Sequence, residues 1–308
     1  MKKLIINCDD LGISKETNLG IVDCLFNKKA SSSSIIANGE FFNHAVQSIK
    51  EKIPDNYFGL HLNLTEGLAL NENSLNLLTD SKLNFNRKPS SFFLMSFNRQ
   101  KGIDDYIYLE FKSQIIKVLN EGIKISHFDS HEHIHHSPFI YKILKKLGNE
   151  FGIKKIRLVN ETFILSNFFK NFGYKFYSKN YIKLLLLNFC TKRNNDKFFV
   201  FPDYFYGILN SGKIEMNEFF SYLNKIKDNS TVELCIHPAN ELPQKGNFTL
   251  LQSESPTSPL EEHVDKFLYK DFTYSKNRFI EKKLLFSDLF EKNLNDQKIK
   301  IINFYDLN

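Results

Sequence analysis

Short runs rich in β-branched and aromatic residues alternate with longer amphipathic runs along most of this chain. A chain built this way has few means of burying both kinds of face. Parallel strands joined by crossover helices satisfy the pattern, because each helix covers the strand it follows and returns the chain to the same end of the sheet. The β-rich runs fall at Leu4–Asn7, Ser34–Ala37, Tyr57–Leu64, Ile125–Asp129, Lys155–Val159, Phe198–Phe201, Thr231–Ile236 and Ile299–Phe304. Eight of them predict closure into a distorted, TIM-barrel-like (β/α) barrel, an α/β fold formed as a single domain over residues 1–308. Helical patterns lie between them at Lys15–Lys28, Tyr106–Glu121, Pro138–Glu150, Met216–Lys227 and Asn277–Glu291, with Ser14 and Ser137 as N-caps of the first and third. The polar, irregular stretches 71–101 and 241–274 read as long loops, which in such folds often roof a functional site.

Composition narrows the partners. Apolar residues make up 42% of the 308 and charged residues 25%, a balance that supports a sizeable core. The net charge of +6 is spread along the chain, with no dense basic block of the kind a nucleic-acid surface needs. Asp9 and Asp10 interrupt the apolar N-terminal run before a signal peptide's core would be complete, and Tyr181–Cys190 carries Lys183 and is far shorter than the ~20 residues of a membrane span. The cysteines at 8, 24, 190 and 235 form neither a CxxC pair nor a secreted-type framework. Reduced thiols in a cytoplasmic protein are therefore expected, with no nucleic acid, no membrane span, and a second copy of the chain as the expected macromolecular partner.

In a β/α barrel the site is assembled from residues that follow the strands. Asp9 and Asp10 follow the first expected strand, Asn38 the second, Asp129, His131 and His133 the fourth, Asp203 the sixth and His237 the seventh; His61 lies within the third and Arg157 within the fifth. Five of the nine histidines crowd into SHFDSHEHIHHSP, Ser126–Pro138, where His127, Asp129, His131 and His133 alternate and in extended backbone would project to one side. Imidazole with carboxylate suits a divalent cation such as Zn²⁺ or Mn²⁺. A polar surface loop explains one such histidine as well, but not the cluster. Adjacent carboxylates, as in NCDDLG at Asn7–Gly12, repel each other and are held ionised by a nearby cation, although Asp is also an ordinary cap of a strand-to-helix turn. In GLHLNLTEG, Gly59–Gly67, His61 is either a core histidine or a ligand. In ELCIHPAN, His237 precedes Pro238 at a strand end, a place that suits a general acid or a structural role equally. His44 and His263 sit in polar segments and carry no assignment, Cys8 reads as a small buried residue, and His127, His135 and His136 stand as supporting or surface groups.

INCDDLGIS, GLHLNLTEG, SHFDSHEHIH and CIHPA occur in the order found in the YdjC-like carbohydrate deacetylase family, and the chain resembles that family over nearly its whole length. The resemblance implies a distorted β/α barrel and one divalent metal ion, Mg²⁺, Zn²⁺ or Mn²⁺, held by Asp10, His61 and His131. It also implies removal of an N-acetyl group from an amino sugar or short N-acetylated oligosaccharide, with Asp9 as base, His237 as acid and a water as nucleophile. Asn38, Arg157 and Asp203 are candidates for holding sugar hydroxyls, with a buried ion pair as the other role open to Arg157. The Phe- and Leu-rich stretch Thr162–Lys197 is an extra helical segment relative to the chitooligosaccharide-deacetylating members and resembles the hopanoid-associated branch. Two rival readings stand beside this one: a metal-dependent phosphoesterase on a similar barrel, and a non-catalytic sugar- or metal-binding protein of the same fold.

Overall fold

A computed structural model describes residues 1–50, 52–53, 58–72, 77–98, 100–162, 175–194, 196–241 and 275–307. Seven parallel strands form one sheet among these residues: β1 (Lys3–Leu11), β2 (Ser32–Ile35), β3 (Phe58–Leu62), β4 (Phe128–Ser130), β5 (Tyr204–Tyr206), β6 (Thr231–Ile236) and β7 (Lys300–Ile301). Their order is β4-β3-β2-β1-β6-β5, with β7 also pairing β1. The crossovers are built from helices α1 (Lys15–Phe26), α2 (Phe42–Lys50), α3 (Pro89–Leu94), α4 (Ile103–Asn120), α5 (Pro138–Glu150), α6 (Lys175–Asn194), α7 (Met216–Lys225), α8 (Lys276–Leu285) and α9 (Asp288–Asp296).

The ring is completed by irregular backbone. The expected strands at Lys155–Val159 and Phe198–Phe201 reduce to isolated bridges, Phe128 to Ile156 and Lys155 to Val200, and the sixth strand forms instead at Tyr204–Tyr206. The Phe205 N–H donates to the Asn160 carbonyl at 3.2 Å, so the 155–160 stretch links β4 to β5 and the sheet curls into a distorted barrel. This is why the strand pattern was legible and its boundaries were not: a backbone that pairs through single bridges has the composition of a strand without its ladder.

Strand β1 is buried from Leu4 onward, as expected of a parallel strand covered on both faces. Ser14 caps α1 by accepting from the Thr17 N–H, whereas Ser137 precedes α5 without a side-chain cap bond and donates its hydroxyl to the Phe92 carbonyl. The helix expected at Asn277–Glu291 is two helices, because Ser287 caps α9 and ends the first run at Leu285. The stretch 71–101 contains α3; the second expected loop lies outside the described residues after Glu241, as does 163–174 of the extra segment, whose remainder is α6. No described helix is long and apolar enough to cross a membrane.

Candidate metal centre

A local irregularity in β1 makes the site possible. In flat strand backbone, adjacent side chains point to opposite faces, so Asp9 and Asp10 could not share a pocket. The pairing of β1 with β2 slips between Cys8 and Leu11, and Asp10 adopts φ 73°, in the left-handed region. This costs ~1–2 kcal/mol for a residue with a Cβ, least for Asp and Asn. Both carboxylates then line one cavity of about 170 Å³ with His61, His131, His133 and His237. Gly12, at φ 108°, continues the turn; a Cβ there would sit 2.9 Å from the Ile36 carbonyl oxygen.

Asp10, His61 and His131 converge. His61 Nε2 lies 3.4 Å and His131 Nδ1 3.0 Å from the same oxygen, Asp10 Oδ1, while Arg278 pairs with Oδ2. The other nitrogen of each ring is also placed: His61 Nδ1 is 2.9 Å from Asp129, and His131 Nε2 is 3.4 Å from Glu66. Burial works to raise the Asp10 carboxyl, but Arg278 and His131 hold it well below the usual range. Burial works to lower both imidazoles, but Asp129 and Asp9 raise His61 to about 10, and Asp10 raises His131 to about 9. The surrounding carboxylates thus favour the charged form of both rings in the chain as it stands. The ligand atoms lie within 4.8 Å of one another, and one carboxylate with two imidazoles is a donor set that suits Zn²⁺ or Mn²⁺ better than Mg²⁺, which favours oxygen. These residues therefore fit a divalent cation.

Two further groupings, Asp9–His61–Asp129 and Asp9–Cys235–His237, are equally compact. Both contain Asp9, whose oxygens are held 2.6 and 2.7 Å from Arg157, and that guanidinium also reaches Asp129 at 3.1 Å and Glu233 at 2.6 Å. Arg157 thus takes both oxygens of Asp9, whereas Arg278 takes only Oδ2 of Asp10 and leaves Oδ1 facing His61 and His131, so the Asp10 set is the better host. Burial works to raise Asp9, but Arg157 and His61 keep its carboxyl well below the usual range. Burial pushes Glu233 up to about 7 against the pull of Arg157. His237 Nε2 is 4.0 Å from Asp9 Oδ2.

Other expected site residues fall elsewhere. His127 does not reach the pocket: it stacks on Phe304 at 3.5 Å under the bare backbone of Gly59, and burial drives its imidazole down to about 3. The expected one-sided alternation fails because β4 ends at Ser130, and Glu132 and His133 turn through left-handed backbone. His133 lines the pocket, while Asp129 stands behind His61, also accepting from Ser34 at 2.8 Å. Arg157 is a fully buried ion-pair partner and is not exposed to a sugar. Asn38 is bound to the carbonyls of Glu66 and Leu68. Asp203 precedes β5 and accepts the N–H of Thr231, at the amino end of the strand whose far end carries His237; the misplaced sixth strand put it at the wrong rim. Sequence reasoning passed over Glu66, Lys183, Arg278 and Glu281, three of which line the cavity while Glu281 lies behind His237.

Barrel and pocket together define a (β/α) barrel protein with a mixed His/Asp cluster at the carboxyl ends of its strands. The chain belongs to the YdjC-like protein family, whose model matches residues 3–295. A carbohydrate deacetylase of Brevibacillus brevis is 27% identical over 310 aligned positions, covering 99% of both chains. One of Thermoanaerobacter pseudethanolicus is 32% identical over 194 positions, covering 61% of this chain and 75% of that one. The fold is shared with the crystal structure of a provisionally named cellobiose-phosphate cleavage protein of Enterococcus faecalis V583, at TM-score 0.65 and 20% identity, covering 99% of this chain and 98% of that one.

Proposed function

We propose that this chain is a metal-dependent carbohydrate N-deacetylase acting on an N-acetylated amino sugar or short oligosaccharide. The observation that carries the reading is the meeting of Asp10, His61 and His131 at one carboxylate oxygen, with Asp9 and His237 lining the same cavity. A relative named carbohydrate deacetylase that aligns along the full length of the chain supports the substrate class. Asp10, His61 and His131 would hold one Zn²⁺, Mn²⁺ or Mg²⁺. When bound, such a cation supplies Lewis-acid polarisation of the acetamide carbonyl and makes a nearby water more acidic.

The remaining work falls to the protein. Arg157 holds Asp9 ionised and in one orientation, so that it accepts the proton of the attacking water as the oxygen–carbon bond forms. His237 donates a proton to the departing nitrogen as the carbon–nitrogen bond breaks, which prevents the adduct from simply expelling water. Acetate and a free amino sugar leave. Asp129 fixes the His61 ring by taking its Nδ1, and Glu66 contacts the far nitrogen of His131. We place the reaction in the cytoplasm, a reading supported by four free, buried cysteines.

The test is to incubate the purified chain with Zn²⁺, Mn²⁺ or Mg²⁺ against a panel of N-acetylated mono- and oligosaccharides and a phosphate ester. Acetate release from a panel sugar, lost on chelation and restored by metal, is expected. Silence on every sugar, or hydrolysis of the phosphate ester alone, would overturn the assignment.

A further inference from the structure

Helix α8 turns an unusual face to the protein. Its buried stripe is Arg278, Glu281 and Leu285, while Ile280 faces solvent at 57% exposure. Two charges thus occupy positions where a surface helix ordinarily presents apolar side chains. Each is only 1% exposed, and a buried charge costs several kcal/mol unless it is paired and hydrogen-bonded, so these two side chains must be answered by specific partners.

The partners, Asp10 and His237, both line the cavity. Arg278 pairs with Asp10 on the cation side. Glu281, one helical turn later, accepts the backbone N–H of His237 at 2.7 Å through Oε2, and the same oxygen is 3.6 Å from His237 Nδ1. The helix is itself anchored: the Ala239 N–H donates to the Arg278 carbonyl, and Lys282 reaches Asp23 on α1 and Asn240. Asp10 and His237 are therefore both tied to one helix.

An imidazole with Nδ1 turned to a carboxylate keeps its proton on that nitrogen and aims Nε2 the other way. In this chain the other way is the cavity, where Asp9 Oδ2 lies 4.0 Å from Nε2. We propose that Glu281 is a positioning residue for the reaction: it holds His237 by its backbone N–H and sets a carboxylate 3.6 Å from Nδ1, so that Nε2 faces the substrate nitrogen. The proposal rests on His237 being the proton donor of the proposed deacetylation.

Ring ¹⁵N NMR of His237 in the full-length chain tests it without any substrate. At a pH where the ring is neutral, the wild-type chain is expected to carry the proton on Nδ1. In Glu281→Gln, which retains an acceptor for the His237 N–H, the Nε2–H form should gain several-fold. In the metal-loaded enzyme the same variant should lose about 10–100-fold in kcat, the range seen when a supporting carboxylate is removed, with KM and metal affinity within twofold of wild type. A wild-type ring protonated on Nε2, or a tautomer ratio unchanged by Glu281→Gln, would overturn the proposal, and the first result needs no variant that folds. Absence of acetate release from the wild type would instead count against the reaction, so the two failures are distinguishable.

Discussion

His127 and His131 are four residues apart, on the two sides of strand β4, and the protein treats them in opposite ways. His127 is pressed between Gly59 and Phe304, and burial drives it down to about 3. His131 sits just past the strand end against Asp10 and Glu66, and it is raised to about 9. His127 is buried and His131 largely so; what separates them is whether a carboxylate stands within reach. Composition makes a histidine-rich segment, but the end of the strand decides which histidine can serve as a ligand.

Substitutions that split the pocket's functions should produce the largest effects. Asp9→Asn is expected to remove ~10³-fold or more of turnover, in the range of lost general-base catalysis, while metal remains bound in a dialysis and elemental assay. If the variant kept wild-type turnover, Asp9 would not be the base. His131→Ala should weaken metal binding by ~100-fold or more and abolish turnover with it, whereas His127→Phe should leave metal affinity within twofold. Equal losses from both would erase the contrast between the two histidines.

Smaller effects sharpen it. Arg278→Gln should weaken metal binding by ~10-fold, because Asp10 loses the partner that leaves only Oδ1 facing His61 and His131. Metal titration followed by calorimetry reads this directly, and an unchanged affinity would remove Arg278 from the account.

The raised imidazoles also set a pH dependence. In the metal-free chain, His61 and His131 contribute stability that is fully present below the unfolded value of ~6.5 and is lost as pH rises through about 9 to 10. Denaturant unfolding of the metal-free chain should therefore show declining stability across that window. Near neutrality, cation binding must displace these protons, so calorimetry in buffers of different ionisation heat should detect up to about two protons released per ion, and apparent affinity should rise with pH. Binding without proton release would place the cation away from both rings.

Much of the site was legible because it lies where strands end, and the ends of β1, β3, β4 and β6 carry Asp9, Asp10, His61, His131 and His237 in clear sequence contexts. The residues that escaped sequence reasoning come from another source. Glu281 and Arg278 belong to a helix whose buried face cannot be told from its exposed one by hydrophobicity, since its charges point inward and Ile280 outward. Asp203 falls elsewhere for a related reason: Phe198–Phe201 has strand composition, yet the ladder starts six residues later, at Tyr204, moving Asp203 to the opposite rim. The bulge that brings Asp9 and Asp10 into one cavity is a matter of register with β2, which no pattern within β1 reports.

The most direct test is X-ray absorption at the metal edge of the Co²⁺- or Zn²⁺-loaded protein. The account predicts one ion per chain with two imidazole nitrogens and oxygen donors and no sulfur. A sulfur neighbour, such as Cys235 beside Asp9 and His237 would supply, or a shell lacking both imidazoles, would contradict it.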